Sequence, residues 1–232
     1  MGPRFPFEQG RWMEKETGRR IGDRLLLGGR PAPEDDDEDE ETPPPGAAAP
    51  ESSKLTEKFL KARTILISEA ITSELARRVY QSLILLESED PERIITVIVN
   101  SPGGEADTGF GIYDMMRFVR PPVRTLVAGL CASAAVMVFL AAPKEHRLSL
   151  PNSRFLLHQP SSATFGQASD LEIASREILK LRDRYNEVVA QETGKTTEQI
   201  TEAADRDFWM SAQEAKEYGL VTRVIETRAE LD

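Results

Sequence analysis

The chain has 232 residues and a formal net charge of −10, from 29 Lys and Arg against 39 Asp and Glu. This length fits one domain with an extension, or two small domains, and permits a core without covalent staples. One Cys and two His exclude an intrachain disulfide framework and a four-ligand structural zinc site, and the acidic balance argues against a general nucleic-acid binder.

The negative charge is concentrated in residues 1–53, which carry −6 of the total and include eight consecutive acids at 34–41 between proline-rich stretches. Such a block repels itself and offers little surface to bury, so we expect 1–53 to be disordered. It is interpreted as an interaction tail, a removable propeptide or a solvated extension. Residues 54–232 carry the remaining −4 and are expected to form the folded domain.

The folded part alternates apolar runs with amphipathic stretches. Strands are predicted at 64–67, 94–99, 123–128, 147–150, 154–158 and 220–225. Helices are predicted at 55–61, 71–87, 168–193, 197–204 and 211–219. Two more are predicted, one that follows Ser-Pro-Gly-Gly and ends at Met116, and an apolar one that follows Gly129 and ends at Ala142. Strands that alternate with helices indicate an α/β fold with a mainly parallel sheet.

Two further features concern the location of the protein. The longest apolar stretch, 130–143, contains Ser133 and is shorter than the ~20 residues that a membrane span needs. Residues 1–30 are charged and glycine-rich and lack the apolar core of a signal peptide. These features predict a soluble, cytoplasmic protein, and an organelle stroma is the alternative.

The first candidate site is the pair Gly103-Gly104, which follows the predicted strand 94–99 through Asn-Ser-Pro. Paired glycines permit unusual backbone angles and let a ligand come close to the backbone, where N–H groups can donate to an anion. A tight turn would use the same residues, so both interpretations stay open.

The second candidate is Ser133, which lies among small residues between a predicted strand and an apolar helix. Small neighbours let a substrate carbonyl reach the hydroxyl, and a helix N-terminus favours developing negative charge. A plain helix cap is the alternative. Cys131, in the same apolar run, is interpreted as a buried core residue.

A serine nucleophile needs a base that is largely neutral near pH 7, and His suits this task best. His146 lies in a charged turn and is expected to be exposed, whereas His158 ends an apolar strand, where parallel sheets carry their sites. His158 is therefore the preferred base. Asp205 and Asp207 are both candidates for the acid that orients it, and their spacing does not separate them.

Several ordered motifs resemble the ClpP family of serine peptidases over about residues 54–227. In chain order they are Asn-Ser-Pro-Gly-Gly, Gly-Ile-Tyr-Asp-Met-Met, Gly-Leu-Cys-Ala-Ser, Leu-Pro-Asn-Ser-Arg-Phe-Leu-Leu-His-Gln-Pro, Phe-Gly-Gln-Ala-Ser-Asp-Leu-Glu-Ile and Asp-Arg-Asp-Phe-Trp-Met-Ser-Ala-Gln-Glu-Ala. The resemblance implies an α/β fold of the ClpP/crotonase type, built from repeated β-β-α units. It also implies a protruding handle at about 159–193 and assembly into rings.

The same resemblance implies the roles of individual residues. Ser133, His158 and Asp207 match the nucleophile, base and acid of a catalytic triad, which selects Asp207 over Asp205. Gly104 and Ala134 match the residues whose backbone N–H groups form the oxyanion hole. The implied activity is a serine endopeptidase that hydrolyses unfolded polypeptides inside a closed assembly.

The implied partners follow from the same family. Handle helices and Arg206 are expected to join two stacked heptameric rings, formed by this chain alone or mixed with a ClpP paralogue. An AAA+ Clp unfoldase is expected to deliver polypeptides and to use the ATP, so this chain itself needs no cofactor and no metal. Neither nucleic acid nor a membrane is an expected partner.

The chain departs from the family pattern at several points. Ala134-Ala135 stands where the family usually has Met-Gly, and Ser161-Ser162-Ala163 follows His-Gln-Pro where the family has a Gly-Gly pair that contacts extended substrate. The stretch 96–99 lacks the Tyr side chains that often line the unfoldase cleft, although Phe118 is kept. The long acidic tail is expected to crowd the axial entrance unless it is removed.

Two other functions compete with an active peptidase. One is a non-catalytic or weakly active ring subunit that regulates a partner ClpP, although such subunits usually lack members of the triad. The other is a crotonase-type acyl-CoA enzyme. That hypothesis gives Ser133, His158 and Asp207 no function that they would perform together. Fold alone does not decide between these functions.

Overall fold

The computed structural model describes residues 53–161 and 165–231; except for Ser53, the expected disordered tail at 1–53 lies outside them. The strands are β1 (Thr64–Ile67), β2 (Ile95–Ser101), β3 (Val123–Ala132), β4 (Arg147–Ser149), β5 (Arg154–Leu157), β6 (Phe208–Ser211) and β7 (Arg223–Val224). The α-helices are α1 (Ser53–Lys61), α2 (Ser73–Glu89), α3 (Ala106–Phe118), α4 (Ala134–Leu140), α5 (Ala168–Thr193), α6 (Thr197–Ala203) and α7 (Ala212–Tyr218). Short 3-10 helices lie at Lys144–His146 and Arg228–Leu231.

The strands form one sheet in the order β1-β2-β3-β4-β7, with β5 paired to β3 and β6 paired to β5. All of these pairs are parallel except β5 with β6, which is antiparallel. The predicted α/β fold with a mainly parallel sheet is confirmed. Strand β3 pairs with β4 through residues 125–127 and with β5 through residues 130–132, so its second half extends the sheet toward Ser133.

The predicted end of β3 at residue 128 is wrong, because the strand continues to Ala132. The side chain of Asn100 accepts a hydrogen bond from Leu130 N at 3.0 Å, which bridges an irregularity in the β2–β3 register. Gly129 has φ 118°, a conformation that glycine adopts without strain. Gly129 lies within the continuous strand β3, and the apolar helix begins only at Ala134.

Local signals placed other elements correctly. The predicted helix 168–193 is confirmed as α5, and α7 begins with the predicted reciprocal capping box between Ser211 and Glu214. The predicted strand 220–225 is only two residues long, because the N–H groups of Leu220 and Val221 donate to Ala215 O at the end of α7. These N–H groups are therefore not available to a strand partner.

Helix α4 lies in the core, and all of its side chains are buried. Helix α5 differs, because its buried side chains belong to its last turns: Tyr185, Asn186, Val189, Ala190 and Thr193. The earlier turns of α5 expose the apolar residues Leu171, Ile173 and Leu179. None of the described helices is both long and apolar enough to cross a bilayer.

Candidate active site

Ser133 lies at the junction of β3 and α4 with φ 56° and ψ −126°. This region is sparsely populated by residues other than glycine, and holding a residue there costs about 1–3 kcal/mol. The backbone is fixed by hydrogen bonds from Ser133 N to Leu156 O at 3.0 Å and from Val136 N to Ser133 O at 2.9 Å. The side chain makes no cap hydrogen bond, so the plain helix cap is wrong and the hydroxyl remains available for chemistry.

The glycine pair after β2 packs directly against this junction. A methyl group on Gly103 would lie 2.7 Å from Ser133 Cβ and 3.0 Å from Ala134 N, and Gly103 has φ 89°. Both the positive φ and the close contact require glycine at this position. Gly103 therefore fixes how closely the turn approaches the start of α4, a role that its place in the sequence alone does not indicate.

The two expected oxyanion donors, Gly104 and Ala134, are the residues that follow Gly103 and Ser133 in the chain. Ile71 N donates to Gly103 O at 2.8 Å, and Glu105 N donates to Ile71 O at 2.9 Å. These bonds turn the N–H of Gly104 away from Ile71. Ala134 is the first residue of α4, and the first N–H groups of a helix have no partner within that helix.

His158 directly follows β5, and Asp207 directly precedes β6. The antiparallel pair brings them together, with His158 Nδ1 3.6 Å from Asp207 Oδ1. This separation is longer than a hydrogen bond. The side chain of His158 is 32% exposed and that of Asp207 is 65% exposed. Asp205 has a different contact, because it accepts a hydrogen bond from Gln159 Nε2 at 3.0 Å.

Ser133 and His158 line the same small pocket, whose apolar walls include Phe110, Met137 and Leu181. Its volume of about 20 Å³ leaves room for about one water molecule. Tyr185 forms another wall, and its hydroxyl donates to Ser133 O at 3.4 Å. Burial raises the pKa of the Tyr185 phenol, so Tyr185 is a neutral donor from α5 to the backbone carbonyl of Ser133.

The solvent exposure of Cys131, His146 and Arg206 bears on what the sequence predicted for each of them. Cys131 is fully buried, and burial raises the pKa of its thiol, which confirms it as an unreactive core residue. His146 lies in a 3-10 helix and is half-buried, so it is less exposed than expected. Arg206 is exposed, and its expected role in ring–ring contacts stays a prediction.

The departures from the family pattern are partly accommodated. Ala134 and Ala135 are both buried in the regular helix α4, so the absence of glycine at 135 does not distort the backbone. Ser161 is exposed, and residues 162–164 lie outside the described part of the chain. Within the described part, no group of three or more His, Cys, Asp or Glu side chains is arranged to hold a metal ion.

Comparison with known sequences gives the family. The sequence model for "Clp protease" matches residues 47–228, which is most of the chain. The chain belongs to the Clp protease family. The expected ClpP-type fold and peptidase class are thereby confirmed, and the crotonase-type acyl-CoA enzyme is set aside.

Other Clp protease subunits match over nearly their whole length. The chain is 44% identical over 182 residues to ATP-dependent Clp protease proteolytic subunit 3 of Rhizobium etli, covering 78% of this chain and 93% of that protein. It is 45% identical over 175 residues to proteolytic subunit 2 of Treponema pallidum, covering 75% and 88%. A solved structure of a ClpP1 mutant from Listeria monocytogenes superposes with a TM-score of 0.72 at 43% identity, covering 77% of this chain and 99% of that one.

Proposed function

We propose that this chain is a catalytically active serine endopeptidase subunit that hydrolyses unfolded polypeptides. The observation that carries the proposal is the strained backbone of Ser133 beside a pocket that it shares with His158, whose Nδ1 faces Asp207. Nucleophiles in hydrolases are often held on such sharp strand-to-helix turns, where the hydroxyl is presented to substrate. Strain kept at this position supports a functional role.

The proposed reaction begins with attack of Ser133 Oγ on a peptide carbonyl. Because Nδ1 of His158 faces Asp207, Nε2 is the nitrogen that takes the serine proton and later gives it to the leaving amine. Asp207 holds this tautomer and stabilises the imidazolium. The 3.6 Å separation is expected to shorten when substrate binds, as catalytic hydrogen bonds often do. Water then hydrolyses the acyl-enzyme.

The developing oxyanion is stabilised by the N–H groups of Gly104 and Ala134 in this proposal. One such donor typically contributes about 3 kcal/mol to the transition state. Gly103 supports the arrangement, since any side chain there would collide with the start of α4. The apolar pocket beside Ser133 would take an apolar substrate side chain after Phe110, Met137 and Leu181 move apart.

The proposed assembly is two stacked heptameric rings of this chain, either alone or mixed with a ClpP paralogue. The exposed Leu171, Ile173 and Leu179 on the outer turns of α5 support a handle that packs against another subunit, because large apolar side chains on a protruding helix favour a partner. Arg206 is the proposed polar contact between the rings. Closed rings of identical subunits use heterologous interfaces.

An AAA+ Clp unfoldase is the proposed partner that delivers polypeptides and consumes ATP. A cleft of about 690 Å³ supports docking of another protein, and its lining includes Phe59, Thr96 and Ile98. Phe118 is 77% exposed. Because the family's Tyr side chains are missing from 96–99, docking is expected to rely on the aliphatic and Phe contacts.

The second candidate function, a regulatory ring subunit with little activity of its own, predicts a different result from the same experiment. We expect the purified assembly to hydrolyse a short fluorogenic peptide that ends in an apolar residue, and the Ser133→Ala variant to have no activity at unchanged assembly size. A native assembly that is inactive, but that alters the activity of another ClpP when mixed with it, would favour the regulatory function. Peptide hydrolysis and size-exclusion chromatography provide both readouts.

A further inference from the structure

His158 and Asp207 lie next to each other just outside the sheet, His158 directly after β5 and Asp207 directly before β6. The antiparallel pairing of β5 with β6 ends at Leu157 opposite Phe208. Among the described residues, no backbone pairing continues beyond it to fix the distance between the two segments. His158 and Asp207 are the next residues on each side, and their facing atoms lie 3.6 Å apart, too far for a hydrogen bond.

One contact does join the two segments past the end of the ladder. Gln159 Nε2 donates to Asp205 Oδ1 at 3.0 Å, which is a good distance for a charge-assisted hydrogen bond. In residues 53–161 and 165–231, no other side-chain hydrogen bond links the segment after β5 to the segment before β6. Gln159 neighbours His158 in the chain, and Asp205 lies two residues before Asp207.

We propose that the Gln159–Asp205 hydrogen bond is the positioning contact that sets the separation of His158 and Asp207. The proposal rests on the proposed triad and assigns Asp205 a role distinct from that of Asp207. Gln159 and Asp205 touch neither substrate nor the reacting atoms. They hold the base-bearing segment against the acid-bearing segment, so that the orienting carboxylate stays within reach of Nδ1. A misplacement of about 1 Å in such geometry can cost up to about a hundredfold in rate.

The direct test measures kcat and KM for a fluorogenic peptide in the full-length assembled protein. Gln159→Ala and Asp205→Ala are each expected to lower kcat about tenfold and to leave KM within about twofold, because the contact orients the catalytic groups without binding substrate. The double variant is expected to lose no more than either single variant, since both remove the same bond. Asp205→Asn keeps a carbonyl oxygen as the acceptor and is expected to recover most of the loss.

Matched controls separate this role from a general effect. Gln213→Ala removes a Gln side chain that makes a similar bond at 3.0 Å to Glu217, outside the candidate site, and is expected to keep native kcat. Gln159→Glu keeps the shape but replaces the donor with an acceptor that repels Asp205, and is expected to lose at least as much as Gln159→Ala. Size-exclusion chromatography selects the fraction of native size for every measurement.

The possible failures are distinguishable. Native kcat in both Gln159→Ala and Gln159→Glu, or losses that multiply in the double variant, would overturn the positioning role while the triad stands. A kcat of Asp205→Asn that is no higher than that of Asp205→Ala would also overturn it. The Ser133→Ala variant is measured alongside to show whether hydrolysis depends on Ser133. If it does not, the proposed function fails, independently of the positioning role.

Discussion

Replacing His158 with Ala is expected to lower kcat for a fluorogenic peptide by about 10⁶-fold, and Asp207→Asn by about 10⁴-fold. The larger loss follows because, in the proposed triad, His158 is the base that takes the proton of Ser133, whereas Asp207 only orients and stabilises that base. Asp207 is also well exposed, and its contact with His158 is 3.6 Å long, which fits an orienting role. Initial rates on assembled protein measure both losses.

The chain offers a matched control for this prediction. His146 is the other histidine and lies in a 3-10 helix before β4, outside the pocket that Ser133 shares with His158, so His146→Ala is expected to keep kcat within about twofold. A His158→Ala variant within tenfold of the native rate would contradict the assignment of the base. Equal losses in the two histidine variants would contradict it as well.

Replacing Glu192 with Leu is expected to destabilise the fold by about 3–5 kcal/mol, because it leaves a buried guanidinium without its counter-charge. Arg147 is fully buried, and its guanidinium donates to the Glu192 carboxylate and to Glu192 O at 3.0 Å. Tyr113 donates to the same carboxylate at 2.9 Å, and Arg117 does so at 3.0 Å. Burial, followed by the bond to Glu192, raises the pKa of Tyr113 to about 12, so it remains a donor.

Arg147 also contacts the end of α4, the helix that begins directly after Ser133. Arg147 Nε donates to Ala142 O at 2.8 Å, and Nη2 donates to Leu140 O at 3.1 Å. Carbonyl groups at the end of a helix lack partners within it, so Arg147 satisfies the end of α4 while Glu192 ties the same guanidinium to α5. We therefore expect the Glu192→Leu variant to lose peptidase activity together with stability.

A surface pair on the same helix provides the control for Glu192. Arg176 and Glu172 form an exposed pair on α5, with side chains 66% and 65% exposed, and Glu172→Leu is expected to change stability by less than about 0.5 kcal/mol. Denaturant unfolding at one protein concentration measures both variants. Similar losses for Glu192→Leu and Glu172→Leu would contradict the buried-charge account. So would a double Arg147→Met and Glu192→Leu variant that is no more stable than Glu192→Leu alone.

The features predicted well from the sequence were those set by local chemistry. The extent of α5, the capping box of α7 and the burial of Cys131 each depend on residues close together in the chain. The alternation of strands and helices likewise indicated a parallel sheet whose strand ends carry Ser133 and His158. Two Asp residues remained open on spacing alone, and the contacts of Asp205 with Gln159 and of Asp207 with His158 now distinguish their surroundings.

The features that were missed depend on distant residues. Arg147 begins a short buried strand, and nothing near it in the sequence indicates a buried ion pair with a residue 45 positions away. Asn100 extends β3 past Gly129 by bonding to Leu130, 30 positions further on. Gly103 could be recognised as a turn residue, but its contact with Ser133 arises only when β2 and β3 lie side by side.

Ser133 is the proposed nucleophile, activated by His158 in the pocket that they share. Treatment of the assembled native chain with a fluorophosphonate, followed by mass spectrometry of the intact protein and its peptides, tests this role. We expect one covalent adduct per chain, on Ser133, and none in the Ser133→Ala variant. If the assembled native protein carries no adduct, or if an adduct persists in Ser133→Ala, Ser133 is not the nucleophile.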